Sequence, residues 1–121
     1  MRLEQLDPAA AKGWYAGPWN SALPIGVGYA NRGIDDPHLH TRLTEIYLVA
    51  RGWSEIRVEL ETVRLAAGDV LVIEPGEAHT FLASSADYFH FVIQVPPGAD
   101  DGHCPERIAV PRTRLGLWAL G

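Results

Sequence analysis

Cysteine is nearly absent from this sequence: Cys104 is the only one in 121 residues. A single thiol cannot close an internal disulfide or build a thiolate zinc cluster. Any metal site must therefore come mainly from histidine and carboxylate. Long apolar runs are also missing. No stretch approaches the roughly 18 consecutive apolar residues of a transmembrane helix. The N-terminal MRLEQLDPAAAKGWYAG contains no continuous apolar segment of the signal-peptide kind. These absences make a cytoplasmic protein without a membrane partner the expectation. An excess of basic residues is lacking too. The net charge of -5 argues against a nucleic-acid surface, which would need clustered Lys and Arg.

What is present describes one globular domain. Hydrophobic residues make up 47% of a chain of single-domain length. Twelve glycines and nine prolines are spread along it and interrupt every candidate helix beyond its first turns. Only DPAAAK, with Asp7 as N-cap and Pro8 in the first turn, has the signature of a short helix. Residues 13–24 carry Trp14, Tyr15 and Trp19 among Gly and Pro and suggest an extended arm. The core is expected to span about 24–98, with residues 1–23 as the arm and 99–121 as a wrapping tail. Within the core, PIGVGYAN, EIYLVARG, VLVIE, HTFLA and YFHFVIQV each suggest a strand. SEIRVELETVRL alternates, with Ile56, Val58 and Leu60 on one face and Glu55, Arg57, Glu59 and Glu61 on the other. Its TVRL end can begin a further strand. Many short strands at close spacing predict an all-β sandwich or barrel.

Four of the five histidines lie in or beside this strand-rich core. His38 and His40, two apart in PHLH, point to one face of an extended segment and can converge on one cation. Glu45 opens the apolar strand IYLV, where an unpaired carboxylate would be costly and a metal would remove that cost. His79 follows the turn PGEA and can bring a third imidazole from a neighbouring strand. If Glu45 faces inward, Tyr47 and Val49 share its face. On the last long strand Tyr88, His90, Val92 and Gln94 share one face, and Phe89, Phe91, Ile93 and Val95 the other. Either set can face the interior. In the first case His90 and Gln94 line a cavity, and His90, Tyr47 and Gln94 are candidates for proton-handling or orienting roles. Trp14, Trp19 and Trp118 suit anchors for the termini, and Asp35 and Asp36 suit the turn before His38. Arg42, near that loop, can meet an anionic substrate. The adjacent His103 and Cys104 point apart on an extended chain and are assigned no role.

The segment GIDDPHLHTRLTEIYLVARG, Gly33 to Gly52, resembles the first sequence motif of the cupin superfamily: glycine, the HxH pair, a glutamate after four intervening residues and a closing glycine after six more. GDVLVIEPGEAH, Gly68 to His79, resembles the second. The fifteen intervening residues match the short spacing of small single-domain cupins. Two departures are visible. Four residues rather than five separate Gly33 from His38, and Glu74 stands in place of the usual proline. The resemblance implies a jelly-roll β-barrel with His38, His40, Glu45 and His79 as ligands of one divalent metal. Imidazole with one carboxylate suits Fe, Mn, Ni, Zn or Cu. It further implies a metal-dependent oxygenase, decarboxylase or isomerase acting on a small oxygen-rich or aromatic molecule. The alternative is a non-catalytic small-ligand-binding or sensor cupin. Exposed strand edges and aromatic strands make a homodimer the expected assembly.

Overall fold

A computed structural model of the chain describes residues 1–32, 36–96 and 107–117. Ten strands form two five-stranded antiparallel sheets. In chain order they are β1 (Lys12–Ala16), β2 (Gly26–Ala30), β3 (His38–Leu39), β4 (Thr44–Arg51), β5 (Trp53–Val58), β6 (Glu61–Ala66), β7 (Val70–Ile73), β8 (His79–Ser84), β9 (Phe89–Val95) and β10 (Ile108–Ala109). One sheet runs β1-β2-β9-β4-β7 and the other β10-β3-β8-β5-β6. This is the expected all-β jelly-roll. Residues Arg112–Leu115 form a single 3-10 turn. No helix among the described residues is long and apolar enough to cross a membrane.

Alternation decides which side chains meet between the sheets. On β4 the buried residues are Glu45, Tyr47 and Val49. Ile56 on β5, Leu65 on β6, Ile73 on β7, Phe81 on β8 and Val92 on β9 complete the apolar interior with Tyr47 and Val49. The chain crosses between sheets at Gly52, at φ +72, where a Cβ would come within 2.3 Å of Ser85 Oγ. Only glycine tolerates both that backbone and that approach.

Three expectations are corrected. The DPAAAK segment forms no helix. Asp7 Oδ1 instead accepts from the Ala9 amide at 2.9 Å, and the Asp7 carbonyl accepts from the Ala10 amide at 3.1 Å. This turn feeds the chain into β1, and so few residues cannot offset the cost of nucleating a helix. The arm is also partly a sheet strand: β1 pairs with β2, and Trp14 packs against the interior cluster. Finally, SEIRVELETVRL divides into two strands, as its TVRL end allowed, but Leu60 does not share a face with Ile56 and Val58. Val58 pairs with Glu61 across a turn at Glu59 and Leu60, leaving Leu60 67% exposed rather than beside Ile56. The period-two pattern runs through the turn unbroken, so alternation alone does not reveal it.

Both ends of the chain add edges to the sheets. β10 pairs with β3, setting Ala109 opposite His38. The following turn buries Leu115 completely. His103, Cys104, Asp35 and Trp118 lie outside the described residues.

Candidate metal centre

The short strand β3 presents His38, and His40 follows one residue beyond its end; both are buried while Leu39 between them is only half-buried. β3 pairs with β8 through the single register pair His38–His79, which brings a third imidazole alongside. The His38 and His79 ring centroids are 4.4 Å apart, and those of His38 and His40 are 5.1 Å apart. Glu45 enters from the opposite sheet. Its Oε1 lies 3.1 Å from His40 Nε2 and 3.3 Å from His79 Nε2. One ligand atom from each of the four residues lies within 4.8 Å of the others, and all four side chains are buried. Ligands about 2.1 Å from a common ion are at most about 4.2 Å apart, so closure on an ion needs only sub-ångström movements.

Main-chain carbonyls set the tautomers. His38 Nδ1 lies 2.7 Å from the Asp36 carbonyl and His79 Nδ1 lies 3.0 Å from the Glu77 carbonyl. A carbonyl accepts only, so each Nδ1 carries the proton, and in the neutral ring the Nε2 lone pair faces the centre. For His79 that nitrogen is buried, has no hydrogen-bond partner and faces a carboxylate oxygen. Two acceptors in contact repel, and a cation between them removes the repulsion. The donor set, three imidazoles and one carboxylate, is therefore one that can hold a divalent transition metal. Burial raises the Glu45 carboxyl, but the hydrogen bonding and charge attraction that protonated His40 and His79 rings supply in place of an ion outweigh it and hold the group well below its usual range.

The carboxylate is steadied from its own sheet. Tyr47 Oη donates to Glu45 Oε1 at 3.1 Å, and Gln94 Nε2 donates to Oε2 at 3.1 Å. Of the two orientations open for β9, the first is the one found. His90 and Gln94 are each 3% exposed, whereas Phe91 and Val95 on the other face are 39% and 40% exposed. Phe89 departs from its face-mates and is buried, because Tyr29 stacks on it and the Arg51 guanidinium covers its ring. His90 does not reach the four-residue cluster by any hydrogen bond in the structure. Its Nδ1 lies 2.6 Å from Tyr88 Oη, and its ring packs against Tyr47 and Phe81. Burial pushes its pKa down to about 4, against a smaller upward pull from Glu45.

One set of residues around the centre has no signal in the motifs. Arg114, from the 3-10 turn, makes a two-point contact with Glu59 at 2.8 and 3.2 Å. Glu59 Oε2 in turn accepts from the Ala78 amide, next to His79, at 3.0 Å. Arg114 beside Glu59 holds that carboxyl below its usual range. Charge patterning within 59–78 cannot disclose a partner at position 114.

Comparisons with known proteins agree with this geometry. The family profile described as "Cupin domain" matches residues 27–95. The chain is 31% identical over 75 residues to the uncharacterized protein SCO3923 of Streptomyces coelicolor, covering 62% of this chain and 71% of that one. Among solved structures it is similar to KdgF from Halomonas sp., with TM-score 0.62 and 25% identity over 81% of this chain and 89% of the other. It also shares its fold with Pac13, a nucleoside dehydratase of Streptomyces, at TM-score 0.59 and 15% identity, with 83% and 88% covered. With the profile spanning more than half of the chain and the barrel present, the protein belongs to the cupin family.

Proposed function

We propose that His38, His40, Glu45 and His79 bind one divalent transition metal and that the protein is a metal-dependent enzyme. Its substrate would be a small oxygen-rich or aromatic molecule, and its reaction of the oxygenase, decarboxylase or isomerase class. The observation that carries this reading is His79 Nε2, a buried and unpartnered lone pair held against Glu45 Oε1 by the Glu77 carbonyl behind it. Fe, Mn, Ni, Zn and Cu all suit the donor set. When bound, such a metal supplies Lewis acidity toward an oxygen-bearing substrate.

The remaining roles belong to this chain's own side chains. Tyr47 and Gln94 orient the Glu45 carboxylate, one on each oxygen. His90 has a pKa far below neutrality, so it serves better as a positioned hydrogen-bonding group than as a proton acceptor at pH 7. Tyr88 fixes its ring. Turnover of a panel of small acids, diols, sugars and phenols with each metal tests the proposal. Activity that depends on added metal and is lost in Glu45→Gln supports it. Inactivity across every metal and substrate class removes the enzymatic reading.

A second reading, a non-catalytic ligand-binding or sensor cupin, is favoured by the closure of the centre, since each of the four residues is at most 6% exposed. Ligand binding that survives Glu45→Gln without turnover would select it.

The outer face of the first sheet supports a homodimer. Phe91, Leu48 and Val70 form one cross-strand row, which continues into the buried Tyr29, and Val27, Ile93, Ile46 and Val72 form the next. Neither row contains a charge, so two copies can meet there with no unpaired ion. Light scattering of the wild type and Phe91→Glu tests it: a dimer converted to a monomer is the expected result.

A further inference from the structure

The C-terminal segment reaches the metal centre from behind. β10 sets Ala109 opposite His38, and the Val110 amide donates to the Pro37 carbonyl at 3.1 Å. The chain then turns, buries Leu115 and accepts from Arg57 Nε at the Leu115 carbonyl, 2.8 Å away. Arg114 leaves this turn toward the loop at 74–78. Besides its two contacts with Glu59, its Nη2 donates to the Gly76 carbonyl at 3.2 Å. The Gly76 amide donates to the His40 carbonyl at 2.6 Å. Glu59 is joined to Ala78 twice, by its own amide to the Ala78 carbonyl at 2.8 Å and by its carboxylate to the Ala78 amide at 3.0 Å. The loop is thus held between the ligand His40 on one side and Arg114 with Glu59 on the other.

Glu59 is also the sole non-glycine residue at positive φ among the described residues, at +48. A positive φ is what the first position of the two-residue turn between Val58 and Glu61 requires. Here the conformation sets the carboxylate between the Ala78 amide and the Arg114 guanidinium.

We propose that Arg114 is a positioning residue for the metal centre: acting through Glu59 and Gly76, it holds the 74–78 loop so that His79 is presented to the ion, and docking of the C-terminal segment thereby sets metal affinity. This deepens the metal-binding reading and rests on it. Neither Arg114 nor Glu59 hydrogen-bonds to a candidate ligand atom; beside a weak charge attraction between Glu59 and His79, their effect passes through the loop. A bidentate guanidinium–carboxylate pair fixes orientation as well as distance, which a lysine does not reproduce.

The test is a calorimetric and visible-absorption titration of the full chain with Co(II). Its variants are Arg114→Gln, Glu59→Gln, their double variant, Arg114→Lys and Arg64→Gln. Arg64 forms an exposed pair with Glu55, remote in chemistry from the loop, and serves as the control. Arg114→Gln and Glu59→Gln should each weaken Co(II) binding about tenfold, the low end for residues behind the ligands. The double variant should be little worse than either, Arg114→Lys should recover part of the loss, and Arg64→Gln should match the wild type. Hydrogen exchange at the Ala78 amide should speed up in metal-free Arg114→Gln. Wild-type affinity in a folded Arg114→Gln, or an equal loss in Arg64→Gln, overturns the proposal. If the wild type itself binds no Co(II), the metal reading fails instead; unchanged Ala78 exchange in Arg114→Gln then refutes the positioning separately.

Discussion

His79 and His90 are both buried in this barrel, on facing sheets, and their surroundings lead to opposite chemistry. His79 has a main-chain carbonyl behind its ring and a carboxylate oxygen in front. His90 has a tyrosine hydroxyl on Nδ1 and aromatic rings on its faces. Equal burial therefore does not mean equal surroundings. Beside Glu45, a buried ring nitrogen and a carboxylate oxygen face one another in a group that can hold a cation. Among Tyr47, Phe81 and Tyr88, charge is unwelcome and the imidazole stays neutral down to about pH 4.

Removing the difference should have the largest effect. Glu45→Gln takes away the one carboxylate of the candidate four-residue group and leaves three imidazoles in a neutral environment like that of His90. Metal affinity should fall by more than the roughly 100-fold that loss of an outer partner produces. Isothermal titration with Zn(II) checks it, and near-wild-type affinity would show that the carboxylate is no ligand.

The comparison sharpens under acid. His90 is depressed from its ordinary value of 6.5 to about 4. Between these values the unfolded chain takes up the proton before the folded one does. The stabilising contribution is therefore fully present above pH 6.5 and is lost as the pH falls toward 4, up to about 3 kcal/mol in all. Urea unfolding of the metal-free protein across that window should show the loss, and His90→Gln should flatten it. Glu45, held below its ordinary value of 4.5, adds its own loss only from about that pH downward, at the acid end of this window. Parallel curves for the two proteins would mean that His90 is not held neutral by burial.

A smaller effect separates ligand from support. Tyr47→Phe removes one hydrogen bond to Glu45 while keeping the ring between the two histidine environments. Metal affinity should drop about tenfold, the scale of an outer partner. Thermal melts should hold the fold nearly constant, since the ring contacts remain.

Much of the centre was legible before folding was considered. Parity placed His38 with His40, and Glu45 with Tyr47 and Val49, because a strand turns its side chains over every residue. Motif spacing brought in His79. The glycine closing the first motif has a physical counterpart in Gly52, which occupies the crossover between the sheets. The face of β9 was not legible, since the face carrying His90 and Gln94 is the more polar one and alternation cannot say which is inside. A further strand at TVRL was foreseen, but not that the turn before it takes Glu59 and Leu60 out of the alternation, since polar and apolar residues keep alternating through it. The supports contributed by β10 and Arg114 were hidden for another reason: pairing between distant segments leaves no periodic trace in either.

By itself the sequence determined the strand-rich class, the ligand residue types and their shared faces, because these follow from local backbone geometry and residue chemistry. The tertiary structure alone decided that His90 is neutral and aromatic-bound, that Tyr47 and Gln94 share the Glu45 carboxylate, and that residue 114 stands behind His79. Each of these depends on which strands become neighbours, and burial, hydrogen bonding and charge act only between groups that the packing has brought together.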